Sequence, residues 1–365
     1  MSIVAIGIEN GGGIIGTVFN TGSISGVVGI SNEPNDLTQQ TNGTVGGPIT
    51  AIIGTIGLIQ NNTGTITASR TGIVNAGVIG TLNNYGVVTG GSGAGFANYG
   101  TFSRGVSNTV SNASYSTAAI SGGHLGTLAN GGILSGLEGG VVNPGSIGAI
   151  VNGTVGTILS TDRVSTDVHQ GGVENTGTIN SITNKGYIAG WWGVRNAGGL
   201  LVTMANSGTI KGTDRSGVYN WGSISSLVNL AGGVISGVTY AYGIVNGTNL
   251  TGAGGIGTIS NTGTIVGGSG IGNNSSSATL HPSIGTILNT GLILAQGGTV
   301  NGVPTPGVGV QNVYGTITSI TANGTGAAGT GSIIAGVAPP TACTSPSASR
   351  TTPAPSAPSA PTPPP

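Results

Sequence analysis

Three histidines, one cysteine and eight carboxylates carry nearly all the reactive chemistry of this 365-residue chain. Three of the eight carboxylates and one of the three histidines fall in one stretch, Asp162-Arg163-Val164-Ser165-Thr166-Asp167-Val168-His169 with Glu174 close behind. Enzymes that cleave glycosidic bonds use two carboxyl groups about 5–9.5 Å apart, one as acid and the other as base or nucleophile. Asp162, Asp167, His169 and Glu174 are therefore the candidate catalytic cluster. Asp167-x-His169 lacks a third ligand at a diagnostic spacing, so no metal is expected there. The plainer reading is a charged, solvated insertion loop. His124 and His281 have no carboxylate neighbour, and Cys343 alone permits neither an internal disulfide nor a cysteine zinc site. No glycine-rich string follows a strand and opens a helix, so no phosphate loop and no cofactor are expected.

A second group of residues suits recognition. Aligned on apolar-x-Gly, a variable segment, then Gly-apolar-x-Asn, successive units carry Trp191-Trp192, then Thr213-Asp214-Arg215-Ser216, then Val238-Thr239-Tyr240-Ala241-Tyr242. Elsewhere the segment is small: Ser69-Arg70, Gly91-Ser92-Gly93-Ala94 or Gly268-Ser269. If the units stack, Trp191, Trp192, Asp214, Arg215, Tyr240 and Tyr242 form a column along one edge, with Tyr219 and Trp221 nearby. Exposed aromatic faces beside hydrogen-bonding groups suit a glycan or a protein surface. The alternative is that Trp192 or Tyr242 turns inward and plugs the core.

Composition limits what can position these groups. Only 4% of the residues are charged, with no net charge, and 75 are glycine; ordinary soluble domains are about 25% charged and about 7% glycine. Long helices are disfavoured, because each interior glycine costs about 1 kcal/mol relative to alanine. Eight basic residues balanced by eight acidic ones cannot build a phosphate-neutralising surface, so no nucleic-acid partner is expected. Glycine does not recur at every third position, which excludes collagen.

What does recur is Asn-x-Gly-x-apolar, from Asn10, Asn20 and Asn62 through Asn75, Asn84, Asn98, Asn130, Asn143, Asn175, Asn184, Asn196, Asn206 and Asn220 to Asn261 and Asn289. Looser copies start at Asn229 and Asn312. Two corners return about every 22 residues, as from Asn184 to Asn206. Asparagine and glycine tolerate the backbone of a sharp turn, and the intervening runs of Ile, Val and Leu alternating with Thr and Ser read as short strands. One such loop cannot bury its apolar face alone, whereas a stack at about 4.8 Å spacing pairs every strand and aligns the asparagines as ladders.

The expectation is all-β: a right-handed parallel β-helix over residues 1–337, with roughly 13–15 coils and a rod on the order of 65 Å long. Residues 30–61, 103–122 and 160–174 read as insertions. Ten of the 16 prolines fall after Ala338, so 338–365 reads as a disordered linker or tail. The end coils would present unpaired strands, which makes end-to-end self-association an expectation too.

Runs such as Ile182-Thr183-Asn184-Lys185-Gly186-Tyr187-Ile188, Ile259-Ser260-Asn261-Thr262-Gly263-Thr264-Ile265 and Ile287-Leu288-Asn289-Thr290-Gly291 resemble the passenger domains of bacterial autotransporters, the type V secretion family. The resemblance implies a β-helical, adhesin-like rod outside the cell or on its surface, binding glycans or host proteins, and carried there by a C-terminal β-barrel translocator. Met1-Ser2-Ile3-Val4-Ala5 carries no basic segment before an apolar core, so no signal sequence is visible, and no barrel strands follow residue 337. A non-enzymatic adhesin is the first expectation. A glycan-degrading β-helix resembling a tailspike and a purely structural spacer are the alternatives.

Overall fold

The computed structural model describes residues 6–33, 54–98, 123–161, 171–247, 254–275, 277–300, 303–323 and 332–334. Each coil has three sides, and one of them shows how the sequence builds it. Thr178–Asn184 forms the first side, Tyr187–Gly190 the second and Trp192–Asn196 the third, after which Leu200–Asn206 begins the next coil. First-side strands pair only with first-side strands, parallel and in register: Ile179 faces Leu201, and Ile182 faces Met204. Eleven strands make up this sheet, and the second and third sides merge into a 20-stranded sheet. The protein is a parallel β-helix.

Eleven coils are described, fewer than the 13–15 expected, because some turns of the helix are long. Successive first-side asparagines Asn20 and Asn61 are 41 residues apart, and Asn84 and Asn130 are 46. Strands Ser23–Glu33 and Thr55–Asn61 reach into the insertion expected at 30–61, and Thr157–Ser160 and Gly171–Asn175 reach into the one expected at 160–174, so residues 171–174 are strand rather than insertion. Residues 34–53, the insertion at 103–122, residues 162–170 and the proline-rich tail lie outside the described residues.

The core is narrow. Ile179, Ile182, Ile188 and Val194 fill one coil, Leu201, Met204, Ile210 and Val218 the next, and Ile224, Leu227, Ile235 and Ile244 the one after, all essentially inaccessible to water. At about 1.5–3 kcal/mol for each fully buried side chain, four per coil is a large repeated driving force. The space admits branched aliphatics; Phe96 is the one aromatic in the core among the described residues. On the first side the inward positions are the second, fifth and seventh, not strictly alternate ones, because the strand bends at its third residue. Gly57 and Gly80 hold that place, and a Cβ on Gly80 would lie 2.6 Å from the Gly57 carbonyl oxygen. Asn180, Val202 and Ser225 occupy the same place in other coils, so that place also takes a side chain.

Two asparagine ladders run along the corners. In the first, each amide Nδ2 donates to Oδ1 of the asparagine one coil on, from Asn20 through Asn61, Asn84, Asn130, Asn152, Asn184, Asn206, Asn229 and Asn261 to Asn289, at 2.7–2.9 Å. The second runs from Asn10 through Asn32, Asn75, Asn98, Asn143, Asn175, Asn196, Asn220, Asn246 and Asn273 to Asn312, at 2.7–2.8 Å. The amide's second hydrogen goes to backbone carbonyls, as from Asn184 to Thr209.

Ladder membership corrects the repeat in two ways. Asn61, not Asn62, is the rung, and Asn32, Asn152, Asn246 and Asn273 are rungs although no clean Asn-x-Gly-x-apolar marks them. Their corners are lengthened: Asn246 donates to the Gly254 carbonyl and Asn273 to that of Pro282, eight and nine residues on. The corner can lengthen because the amide needs only the carbonyl that precedes the next strand. Asn152-Gly153-Thr154 and Asn246-Gly247-Thr248 have the Asn-x-Thr pattern of a glycosylation acceptor, but both asparagine side chains are fully buried rungs and closed to a glycan; a third such pattern, Asn42-Gly43-Thr44, lies outside the described residues.

Candidate functional site

The third side carries a column of outward positions, each immediately before a ladder asparagine: Val142, Glu174, Arg195, Tyr219 and Val245. Glu174 and Arg195 are direct neighbours in the sheet and form an ion pair. Both are buried, Glu174 at 0% exposure, although they point away from the aliphatic core. Stacked charges of opposite sign neutralise each other where like charges would repel.

Aromatic rings cover the pair. Trp192, the first residue of its strand, lies over Tyr219 with ring centroids 5.3 Å apart and planes 23° from parallel. Trp221, at the next corner, meets Tyr219 at 5.8 Å. The Arg195 guanidinium carbon sits 5.0 Å from the Trp192 centroid and 4.8 Å from that of Trp221, so one cation is clamped between two indoles. Each such contact contributes about 0.5–2 kcal/mol, and together they fix the rings in place. Trp192, Tyr219 and Trp221 remain partly exposed. They do not plug the core; Val194 and Val218 do that on the same strands.

The rest of the expected column continues along the same edge. Backbone bonds carry it upward: Arg215 N–H donates to the Trp191 carbonyl, Val238 to that of Arg215, Gly268 to that of Val238 and Gly297 to that of Gly268. Trp191 is largely covered, 8% exposed, with the Arg215 guanidinium 5.5 Å above its ring. Arg215 and Asp214 approach at 4.0 Å but are open to solvent, a pairing worth at most about 1 kcal/mol. Tyr240, 47% exposed, donates its hydroxyl to Asp214 Oδ1 at 2.6 Å. Tyr242 is half-buried; its hydroxyl donates to Gln311 Oε1 at 2.6 Å and accepts from Asn274 Nδ2 at 2.7 Å. A cleft of about 160 Å³ lies beside Tyr240 and Tyr242 and is lined also by Ser269, Pro306, Val308 and Gln311.

Of the candidate catalytic cluster, Asp162, Asp167 and His169 lie outside the described residues. Glu174 is a strand residue engaged by Arg195, so the loop expected to hold it ends before Gly171. Among the described residues no group of three His, Cys, Asp or Glu side chains could hold a metal ion, and no helix is long and apolar enough to cross a membrane. Neither Arg195 nor Gln311 stands out in the sequence taken coil by coil. The signal for Arg195 is its place before Asn196, equivalent to Glu174 before Asn175 and Tyr219 before Asn220. That column emerges only when coils are aligned on the buried asparagines.

Burial pushes the Tyr219 phenol above its usual value of 10.0, with Arg195 opposing and Glu174 reinforcing the rise. Burial does the same to Tyr242, against the hydrogen bond from Asn274. A tyrosine with a raised folded pKa contributes stability that is fully present below the unfolded value and is lost as pH climbs through the folded one. Denaturation midpoints are therefore expected to fall as pH rises from about 10 upward, and replacing both Tyr219 and Tyr242 by Phe removes much of that fall. An unchanged pH dependence in the double variant would contradict this assignment. No family model matches the sequence, and no curated protein and no solved structure matches it.

Proposed function

We propose that the protein is a non-enzymatic β-helical rod, displayed on a bacterial cell surface or secreted, that recognises glycans or partner proteins through its aromatic edge. The observation that carries this reading is the platform of Trp192, Tyr219 and Trp221, locked from beneath by Arg195. Rigid, partly exposed rings lose little entropy on binding and offer apolar faces to the C–H side of a sugar ring. Asp214, Arg215 and Gln311 supply polar groups along the same edge for hydroxyl recognition. The engagement of Glu174 by Arg195 supports binding over hydrolysis, because a carboxylate held by a buried guanidinium is poorly placed to exchange protons.

Replacing both Trp192 and Trp221 by Ala is expected to weaken binding to a glycan panel or to host-cell surfaces about 5- to 150-fold, since two stacked aromatic contacts of about 0.5–1.5 kcal/mol each are lost. The core is left intact, so circular dichroism of the β-helix is expected to persist. Binding at full strength in that variant would remove the edge as the recognition surface.

A further inference from the structure

Two coils beyond Tyr219 the outward column of the third side loses its side chain. Val245 follows Tyr219, Gly272 follows Val245, and Gln311 comes next. No side chain fits at Gly272 unless the Tyr242 ring moves, because a Cβ there would lie 2.6 Å from Tyr242 Cε1. The ring thus takes the space that the column leaves open. Its hydroxyl donates to Gln311 Oε1 at 2.6 Å and accepts from Asn274 Nδ2 at 2.7 Å, and Asn274 Nδ2 also reaches Gln311 Oε1 at 2.9 Å. This triangle of hydrogen bonds fixes both the ring and the Gln311 carboxamide.

Tyr242 and Gln311 both line the cleft described above. The triangle uses Gln311 Oε1 twice and leaves the two Nε2 hydrogens with no acceptor among the described residues. Ser269 Oγ accepts from the Val308 N–H at 3.2 Å, and its own O–H has no acceptor among them either. Beside these donors stand apolar groups: Pro306, Val308 and the half-exposed ring of Tyr240. No charged side chain lines the cleft. The one charge tied to a lining residue is negative, the Asp214 carboxylate that accepts from the Tyr240 hydroxyl.

We propose that this cleft binds one uncharged sugar unit of a glycan. The proposal rests on the reading of the edge as a recognition surface and narrows its ligand from glycans or proteins to glycans with an uncharged unit to seat. A sugar ring presents an apolar C–H face, which suits Tyr240, Pro306 and Val308, and hydroxyl oxygens that accept from Gln311 Nε2 and the Ser269 O–H. At about 160 Å³ the cleft is smaller than the about 300–1,000 Å³ of drug-sized ligand sites, so it takes one ring and not a chain. An acidic sugar is disfavoured: its carboxylate would lose water with no cation to pair it, beside the charge of Asp214. Tyr242 belongs to the coil next to that of Tyr219, so a glycan laid along the rod reaches both the cleft and the aromatic platform.

Matched oligosaccharide pairs test this on the full chain, each pair sharing its inner units and ending in either an uncharged hexose or the corresponding uronate. The wild-type chain is expected to bind the uncharged member at least about tenfold more tightly. Gln311→Glu keeps an oxygen for Tyr242 and Asn274 but removes both free hydrogens, and is expected to weaken that binding about 2- to 13-fold, the worth of one hydrogen bond. Tyr240→Ala removes a ring already half in water and is expected to cost a similar factor. Circular dichroism checks that each variant folds. Equal affinity within the pairs, preference for the uronate, or full-strength binding by either folded variant would overturn the cleft as a sugar site; loss of binding in the Trp192→Ala, Trp221→Ala variant would then show that the platform still stands. A wild-type chain that binds no member of any pair would also overturn the proposal, and a protein ligand lost in the same tryptophan variant would show that the edge recognises proteins instead.

Discussion

Arg195→Met is expected to lower the stability of the coils around it by about 3–5 kcal/mol, the range seen when one partner of a buried ion pair is removed. Methionine replaces most of the volume of arginine but leaves the Glu174 carboxylate, at 0% exposure, without its guanidinium. The same change takes the cation from between Trp192 and Trp221, 5.0 and 4.8 Å from their centroids, so the rings lose their common support. The double variant Glu174→Gln with Arg195→Met is expected to recover most of the loss, because the buried charge goes with its partner. Urea unfolding followed by circular dichroism measures both. A single variant within about 1 kcal/mol of wild type would mean that the pair is more solvated than its burial indicates.

Asn220→Ala is expected to be nearly as damaging, at about 2–5 kcal/mol. Asn220 is fully buried; it accepts from Asn196 Nδ2 at 2.7 Å and donates to Asn246 Oδ1 at 2.7 Å. Alanine takes the amide donor from Asn246 Oδ1 above and the amide acceptor from Asn196 Nδ2 below, which keeps only the Gly199 and Ser223 carbonyls. It also removes the bonds of Asn220 to the Gly222 and Gly255 carbonyls. A buried hydrogen-bonding group deprived of its partner costs about 1–3 kcal/mol in a site closed to water. Asn312→Ala, at the exposed end of the same ladder, is expected to cost under about 1 kcal/mol, since water replaces the lost amide. Amide hydrogen exchange resolves the difference by position: the Asn220 variant opens coils on both sides of residue 220, while the Asn312 variant frays only the last coil. Equal costs at the two positions would show that the ladder is incidental to stability.

The coil was legible in the sequence because stacking imposes the same demands on every turn. A narrow core accepts Ile, Val, Leu and Met, and a buried corner at interstrand spacing accepts an amide, which can donate and accept along the stack, where stacked carboxylates would repel. Long corners hid rungs such as Asn152 and Asn246, since the amide there bonds a carbonyl four or eight residues away and the familiar spacing is lost. The edge was legible as a place, because insertions in successive coils must lie over one another. Its organisation was not. Nothing in Val194-Arg195-Asn196 distinguishes a solvated arginine from one clamped between two indoles, until Glu174 in one neighbouring coil and Tyr219 in the other are brought into register with it.

The scarcity of charge acquires a reason from the same register. A buried charge on a strand is matched by an opposite charge on the next coil, as Glu174 is by Arg195, whereas Lys211, beside Ala189 and Ser236, lies exposed. Asp214 and Arg215 sit instead at a corner that opens to solvent.

All three tryptophans of the chain, Trp191, Trp192 and Trp221, belong to this one edge, so intrinsic tryptophan emission reports on it alone. Titrating the protein with glycans and with soluble extracts of candidate host surfaces while recording that emission is the most direct test of the recognition reading. The account predicts a saturable change in intensity or wavelength for a ligand class, and its loss in the Trp192→Ala, Trp221→Ala variant. Saturable binding, measured independently, that leaves the emission of all three tryptophans unchanged would contradict it.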